Sequence, residues 1–169
     1  MAGDRRTFLK LLSAAGGVAA AALTVIPALR AFASPLASPP GPENWIRLGE
    51  ASEFDLDVPG KVDFVQTVQD AWVENRVLHN VWVYTEDGEN FTVYNGRCPH
   101  LGCGFGFDET AKEFRCPCHR GRFDPKTGAV LAGPPPRGLD LLETRIEKGI
   151  LYASYQDFRA GVPDKVALG

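Results

Sequence analysis

Two motifs decide the fold of this chain: Cys98-Pro99-His100-Leu101-Gly102-Cys103 and, after twelve intervening residues, Cys116-Pro117-Cys118-His119. The first contains a C-x-H element and the second a C-x-x-H element, so each can offer one thiolate and one imidazole to a metal centre. Two cysteines and two histidines can hold a [2Fe–2S] cluster, with cysteine on one iron and histidine on the other. Neutral imidazoles stabilise the reduced cluster relative to thiolates and raise its potential.

Two other interpretations fit the same residues less well. A structural zinc ion prefers tetrahedral N/S ligation, and zinc knuckles usually present C-x-x-C pairs. The pairs here are C-x4-C and C-x-C. A scaffold made only of disulfides would leave His100 and His119 without a role. Four cysteines allow three pairings, among which sequence alone does not choose.

The motifs, together with a later segment Gly133-Pro134-Pro135-Pro136, resemble those of the Rieske iron–sulfur subunits of quinol-oxidising cytochrome bc/bf complexes. The resemblance runs from the N-terminus to about residue 155. It implies four cluster ligands: Cys98, His100, Cys116 and His119. It also implies that Cys103 and Cys118 form a disulfide between the two cluster loops, and that the proline-rich segment packs beside the cluster.

The N-terminal region, residues 1–33, has the composition of an export signal and membrane anchor. Arg5-Arg6-Thr7-Phe8-Leu9-Lys10 resembles a twin-arginine signal, and residues 11–29 carry no charge. Nineteen helical residues span roughly 28 Å, enough to cross a bilayer core. Basic residues before the apolar run stay in the cytoplasm, which places residues 31–169 on the outer side of the membrane.

One alternative for this region stays open. Ala31-Phe32-Ala33 fits the A-x-A pattern of a cleavage site, which would release a soluble domain. The resemblance favours a retained anchor. A twin-arginine pathway exports folded proteins, so a cluster can be inserted before export, and the outer compartment permits disulfides.

A proline-rich linker and a β domain follow the anchor. Residues 34–44 contain four prolines, which favour extended conformations and reach at most about 34 Å. In the family, this segment serves as a hinge. Residues 45–169 contain short alternating or apolar runs: 45–48, 62–68, 81–85, 91–94, 145–146 and 150–155. They predict an all-β fold, a small antiparallel sandwich or barrel with two hairpins and loop-borne ligands.

Two features of the β domain have weaker signals. The tail from Asp157 to Gly169 lacks a clear pattern, which predicts a surface extension. His79 is far from both motifs in sequence, so we expect it at the surface or at a strand edge. The chain has a net charge of −3 and no basic patch, so composition does not suggest nucleic-acid binding.

The resemblance implies a function in electron transfer from a membrane quinol to a c-type cytochrome, with a cytochrome b-type membrane subunit as partner. His100 and His119 would be both ligands and proton acceptors, and we assign the quinol contact to His119. The chain would be part of an enzyme and not a complete enzyme alone. The alternative is the Rieske small subunit of an arsenite-oxidase-like molybdenum enzyme, which also carries a twin-arginine signal.

The second motif departs from the family at two positions. Many members continue it as Cys-Pro-Cys-His-Gly-Ser-x-Tyr, whereas Gly121 and Phe123 stand at the Ser and Tyr positions here. In the family, each hydroxyl donates a hydrogen bond that favours the reduced cluster. Their absence predicts a lower potential, which suits menaquinol better than ubiquinol as the electron donor. Arg120 and Arg122 act in the opposite direction, because nearby cations favour reduction.

Overall fold

The computed structural model describes residues 4–37, 44–70 and 73–168. The chain divides into two compact units, Met1–Gly41 and Pro42–Gly169. The first unit contains a long helix, and the second contains the strands.

Helix α1 spans Arg5–Ala37. Its segment Arg5–Arg30 is long and apolar enough to cross a membrane, and none of that segment is buried in the structure. At the start of the helix, the side chain of Asp4 accepts a hydrogen bond from the backbone N–H of Arg6 at 3.2 Å. This contact satisfies one of the N–H groups that have no partner within a helix.

The helix continues into the predicted linker, so the expectation of an extended chain over residues 34–37 is wrong. Alanine and leucine are strong helix formers, and they dominate residues 28–37. The helix ends at Ala37, two residues before Pro39. Proline disfavours the helical conformation in the residue before it, which explains the end point. The rest of the predicted linker, apart from Asn44, lies outside the described residues.

In its described residues, the second unit contains ten strands and a short 3-10 helix at Ala51–Glu53. The strands are β1 (Trp45–Glu50), β2 (Gly60–Asp70), β3 (Val73–Thr85), β4 (Phe91–Asn95), β5 (Gly106–Asp108), β6 (Glu113–Cys116), β7 (Gly121–Phe123), β8 (Val130–Ala132), β9 (Leu141–Glu147) and β10 (Ile150–Ser154). A six-stranded sheet has the order β1-β10-β9-β4-β3-β2, and a four-stranded sheet has the order β5-β6-β7-β8. All named pairings are antiparallel, which confirms the predicted fold class.

Strand β3 contributes to two separate hydrophobic cores because successive side chains of a strand point to opposite faces. Val81 and Val83 belong to the first core, whereas Trp82 belongs to the second. The first core is formed by side chains from strands of the larger sheet, including Leu48, Val93, Leu142 and Leu151. The second core connects the two sheets and includes Tyr94, Phe105, Phe114, Phe123, Cys98 and Cys116. Two motif cysteines are therefore held in a rigid aromatic environment.

His79 is buried, so the expectation of a surface or strand-edge position is wrong. It lies on β3 in register with Phe64, whose ring stacks on it at a centroid distance of 5.6 Å. Its Nδ1 is 2.7 Å from the hydroxyl of Tyr155, which donates to Asp157 at 2.8 Å. Burial lowers the pKa of His79, and Asp157 opposes that shift. Strand alternation could have predicted this position, because residues 79, 81 and 83 share one face.

The C-terminal residues 157–168 lie at the surface, as the weak sequence pattern predicted, and they form an ordered hairpin-like segment. We call residues 157–168 the C-terminal strap. Phe158 and Ala167 pair as an isolated bridge. The backbone N–H of Arg159 donates to the carbonyl of Val166 at 2.9 Å, and that of Leu168 donates to Asp157 at 2.8 Å. These backbone bonds need no periodic sequence pattern, which is why alternation did not reveal them.

Candidate metal centre

The first motif forms a tight loop between β4 and β5, which we call the first cluster loop (residues 98–103). The N–H of Cys98 donates to the carbonyl of Cys103 at 2.8 Å, and the N–H of Gly102 donates back to the carbonyl of Cys98 at 2.8 Å. Gly102 has a φ of +76°, a conformation that favours glycine. The loop is thereby closed on itself by its own backbone.

The second motif forms a matching turn between β6 and β7, which we call the second cluster loop (residues 116–121). Cys116 pairs with Gly121 across the two strands, so the chain reverses within four residues. Arg120 has a φ of +59° in this turn. A non-glycine residue in the left-handed region is uncommon, and here it lets the chain turn back directly after His119.

The two loops bring the predicted ligands together as two pairs: the thiol of Cys98 lies against that of Cys116, and the ring of His100 lies beside that of His119. The side chains differ in exposure: Cys98 and Cys116 are 1% and 3% exposed, His100 is half-buried and His119 is exposed. The two imidazole rings lie 4.8 Å apart between centroids and are nearly perpendicular. The arrangement places two thiols inside the domain and two imidazoles towards its surface.

The environment of Cys98 suits a metal-bound sulfur. Burial, together with the neighbouring thiol of Cys116, raises the pKa of Cys98 to about 11, although a hydrogen bond from the backbone N–H of His100 acts in the opposite direction. A buried thiol with a raised pKa resists ionisation unless a cation compensates the charge of the thiolate. The backbone N–H groups of His100 and Leu101 already point at the Cys98 sulfur, as donors to a thiolate would.

A disulfide joins Cys103 to Cys118, as the resemblance implied. It links the two cluster loops directly, with 6.7 Å between the Cα atoms. The sulfur atoms of Cys103, Cys116 and Cys118 lie within 4.8 Å of one another. Because two of these three are oxidised, they do not form a set of thiolate ligands. The free cysteines are Cys98 and Cys116.

The proline-rich segment packs on the second cluster loop. We call residues 133–136, between β8 and β9, the proline loop. Pro135 is buried, and a Cβ on Gly121 would stand 2.9 Å from its Cγ. A Cβ on Gly133 would stand 2.8 Å from the carbonyl oxygen of Arg120. The two backbones approach so closely because neither of these glycines has a side chain.

Sequence reasoning missed one group of residues around the first cluster loop. Arg137, directly after the proline loop, is buried against Asp140 and hydrogen-bonds to two carbonyls of the C-terminal strap. The strap contacts the first cluster loop through the N–H of Gly161, which donates to the carbonyl of Pro99 at 2.9 Å. The spacing of Arg137 and Asp140 was visible in the sequence, but their connection to the strap was not.

Comparison with known proteins identifies the class of this domain. Residues 44–145 match the Rieske [2Fe-2S] domain. The chain belongs to this family. It is 31% identical over 154 residues to the menaquinol:cytochrome c reductase iron-sulfur subunit of Bacillus subtilis, covering 88% of this chain and 90% of the relative.

Two further comparisons cover most of the chain or of the matched protein. The cytochrome b6-f complex iron-sulfur subunit of Chlorobaculum tepidum is 28% identical, covering 89% of this chain and 75% of the relative. Among solved structures, the cyanobacterial plasma membrane Rieske protein of Synechocystis is 22% identical, with a TM-score of 0.45, covering 65% of this chain and 99% of that chain.

The family and the local chemistry agree on the cofactor, which is a Rieske [2Fe–2S] cluster. The disulfide leaves two cysteines and two histidines in the paired loops, and this is the donor set of a Rieske centre. The same set of donor types also occurs in structural zinc sites. Membership of the family decides between the two metals.

Proposed function

We propose that this chain is the electron-transfer subunit of a quinol-oxidising cytochrome bc/bf-type complex. The observation that carries the proposal is the pairing of two buried thiols with two imidazoles that reach the surface. A site with buried ligands on one side and exposed ligands on the other can exchange an electron with a partner that touches only the exposed side. The relatives named as subunits of cytochrome c reductase and b6-f complexes support this proposal.

Burial supports the ligand assignment. Cys98 and Cys116 would hold one iron, and His100 and His119 would hold the other. When bound, the cluster supplies a one-electron acceptor. The more exposed His119 accepts a hydrogen bond from the quinol hydroxyl and receives its proton. Leu101, 62% exposed in the same loop as His100, offers an apolar contact to the quinol ring or to the partner surface.

The quinol is menaquinol in this proposal. Two relatives, from Bacillus subtilis and Geobacillus thermodenitrificans, are named menaquinol:cytochrome c reductase iron-sulfur subunits. Gly121 and Phe123 lack the hydroxyls that would favour the reduced cluster. Both lines of support favour a donor of low potential. The partners are a cytochrome b-type membrane subunit and a c-type cytochrome.

The N-terminal region anchors the domain in the cytoplasmic membrane by a single span. Arg5, Arg6 and Lys10 stay in the cytoplasm, and the Rieske domain, residues 45–169, lies outside. Residues 1–33 supply the twin-arginine signal and the anchor, and residues 34–44 supply the proposed hinge. A mature N-terminus at Ser34, measured by mass spectrometry, would overturn the retained anchor.

The test is purification of the tagged chain from membranes of its own organism. The chain should purify with a cytochrome b-type subunit, and the preparation should transfer electrons from menaquinol to a c-type cytochrome. A Cys116→Ser variant should abolish this transfer. Co-purification with a molybdenum-containing subunit, and no quinol oxidation, would instead support the arsenite-oxidase-like alternative.

A further inference from the structure

We propose that Arg137 and the C-terminal strap form a non-covalent brace that holds the two cluster loops together, in addition to the disulfide. Arg137 is then a positioning residue for the proposed ligands of the first cluster loop. This inference rests on the ligand assignment in the proposed function. It concerns a part of the chain that lies outside both motifs.

The centre of the brace is the guanidinium of Arg137. Its Nε and Nη2 donate to the two carboxylate oxygens of Asp140 at 2.9 and 2.8 Å. Its Nη1 donates to the carbonyl of Val162 at 2.5 Å, and Nη2 also donates to the carbonyl of Arg159 at 2.9 Å. The side chains of Arg137 and Asp140 are only 10% and 6% exposed. A planar fork makes this set of bonds, and a lysine ammonium does not reproduce it.

The strap passes the constraint to the first cluster loop. Between the two strap carbonyls that Arg137 binds lies Gly161, whose N–H donates to the carbonyl of Pro99 at 2.9 Å. Pro99 stands between the proposed ligands Cys98 and His100. Gly161 has a φ of +77°, and a Cβ there would lie 3.5 Å from the carbonyl oxygen of His100. The strap therefore contacts the backbone at the residue between two ligands.

The strap is itself attached to the domain at other points. Lys165 donates to the carbonyl of Leu141 at 2.6 Å. Within the strap, its ammonium lies 4.6 Å from the ring centroid of Phe158. At the other end, Asp157 lies 3.4 Å from the guanidinium of Arg97, the residue before Cys98. With these attachments, the strap can resist movement of the loop that it touches.

The brace reaches the second cluster loop through the proline loop. Arg137 directly follows Pro136, and Pro135 packs on Gly121. A path therefore runs from Pro99 by a hydrogen bond to Gly161 and through its neighbour Val162 to Arg137, then along the chain to Pro135, which packs on Gly121. Because this path does not include Cys103 or Cys118, it links the loops independently of the disulfide.

Three variants of the full chain test the brace. Arg137→Gln removes the charge and the fork, Arg137→Lys keeps the charge without the fork, and Arg159→Gln is the matched control. Arg159 has an exposed side chain and contributes to the brace through its backbone N–H and carbonyl. We expect both Arg137 variants to release iron to a chelator about tenfold faster than wild type, well below the unfolding temperature. The electron paramagnetic resonance signal of their reduced cluster should be broadened. Arg159→Gln should match wild type in both iron release and signal shape.

Two outcomes would overturn the brace. One is that the wild-type protein holds its cluster while both Arg137 variants release iron at the wild-type rate and give an unchanged electron paramagnetic resonance signal. The other is rescue of both measurements by Arg137→Lys, which would reduce the role of Arg137 to its charge. A wild-type chain that binds no iron would refute the proposed function instead.

If the variants fail to fold, a measurement on the wild-type holoprotein still tests the brace. Hydrogen exchange of the Gly161 amide should be slowed at least about tenfold relative to an unprotected amide, because it is bonded to Pro99. Exchange at the rate of an unprotected amide would contradict the brace.

Discussion

Pro135 packs directly on Gly121, so closely that a Cβ at position 121 would stand 2.9 Å from the Cγ of the proline ring. The proline loop thus occupies the space that a side chain at position 121 would need. A serine at this position would therefore compete with Pro135 for the same space. It also changes how the hydrogen bonds to the cluster should be tested.

Gly121→Ser should disturb the site instead of simply adding a hydrogen bond. The new Cβ forces the rigid ring of Pro135 to move, which costs about 1–3 kcal/mol for overpacking. We expect lower iron content in the purified variant. Gly104→Ser is the matched control, because a Cβ there meets nothing within 4 Å. Full iron content in Gly121→Ser with a raised potential would contradict this prediction.

Phe123→Tyr is the cleaner test of the missing donors. Phe123 is fully buried in the core that contains both proposed ligand cysteines. If its new hydroxyl donates to a ligand sulfur, a bond of about 1–2 kcal/mol raises a one-electron midpoint potential by roughly 40–90 mV. Phe114→Tyr adds a hydroxyl to the same core and serves as control. An unchanged or lower potential in Phe123→Tyr with an intact cluster would refute the hydrogen-bond explanation.

The disulfide should stabilise the loops without ligating iron. Replacing Cys103 and Cys118 by serine opens a cross-link between residues 15 apart. The expected loss is about 3 kcal/mol in the free energy of unfolding, as for other loops of this length. Denaturant titration measures the loss, and iron should still bind but escape faster. Alkylation of both thiols in the native oxidised protein would show that the disulfide does not form.

His79 should make the domain less stable in mild acid. Burial lowers the pKa of His79 in the folded protein, so below about pH 6.5 the histidine takes up a proton in the unfolded chain but not yet in the folded one. The free energy of unfolding is therefore undiminished above that pH, and it falls as the pH drops towards the folded pKa. His79→Gln should flatten the dependence between about pH 7.5 and pH 5 in denaturant titrations of the oxidised protein. Parallel curves for the two proteins would contradict this role.

Alternating residues were sufficient to predict most strands of the larger sheet. Val62 and Phe64 point into the first core from β2, and the loop at residues 86–90 joins β3 to β4 as expected. Strand β3 begins at Val73, eight residues earlier than its sequence pattern indicated. Residues 73–78 are largely exposed on both faces, so no alternation marks them.

The candidate site was predictable only in part. Spacing of cysteine and histidine indicated the metal centre, and the resemblance supplied the disulfide. The brace was not predictable, because the strap offers backbone groups to Arg137 and Pro99, and backbone groups are the same in every sequence. The close approach of Pro135 to Gly121 likewise depends on how two distant loops pack.

The central claim is that Cys98, Cys116, His100 and His119 hold one [2Fe–2S] cluster. Electron paramagnetic resonance of the dithionite-reduced protein, purified after its natural cluster insertion, tests it most directly. We expect a rhombic signal of mixed cysteine and histidine ligation, integrating to one spin per chain, that is lost when any of the four residues is replaced. A silent sample containing stoichiometric zinc, or a full signal in His100→Ser or His119→Ser, would contradict the assignment.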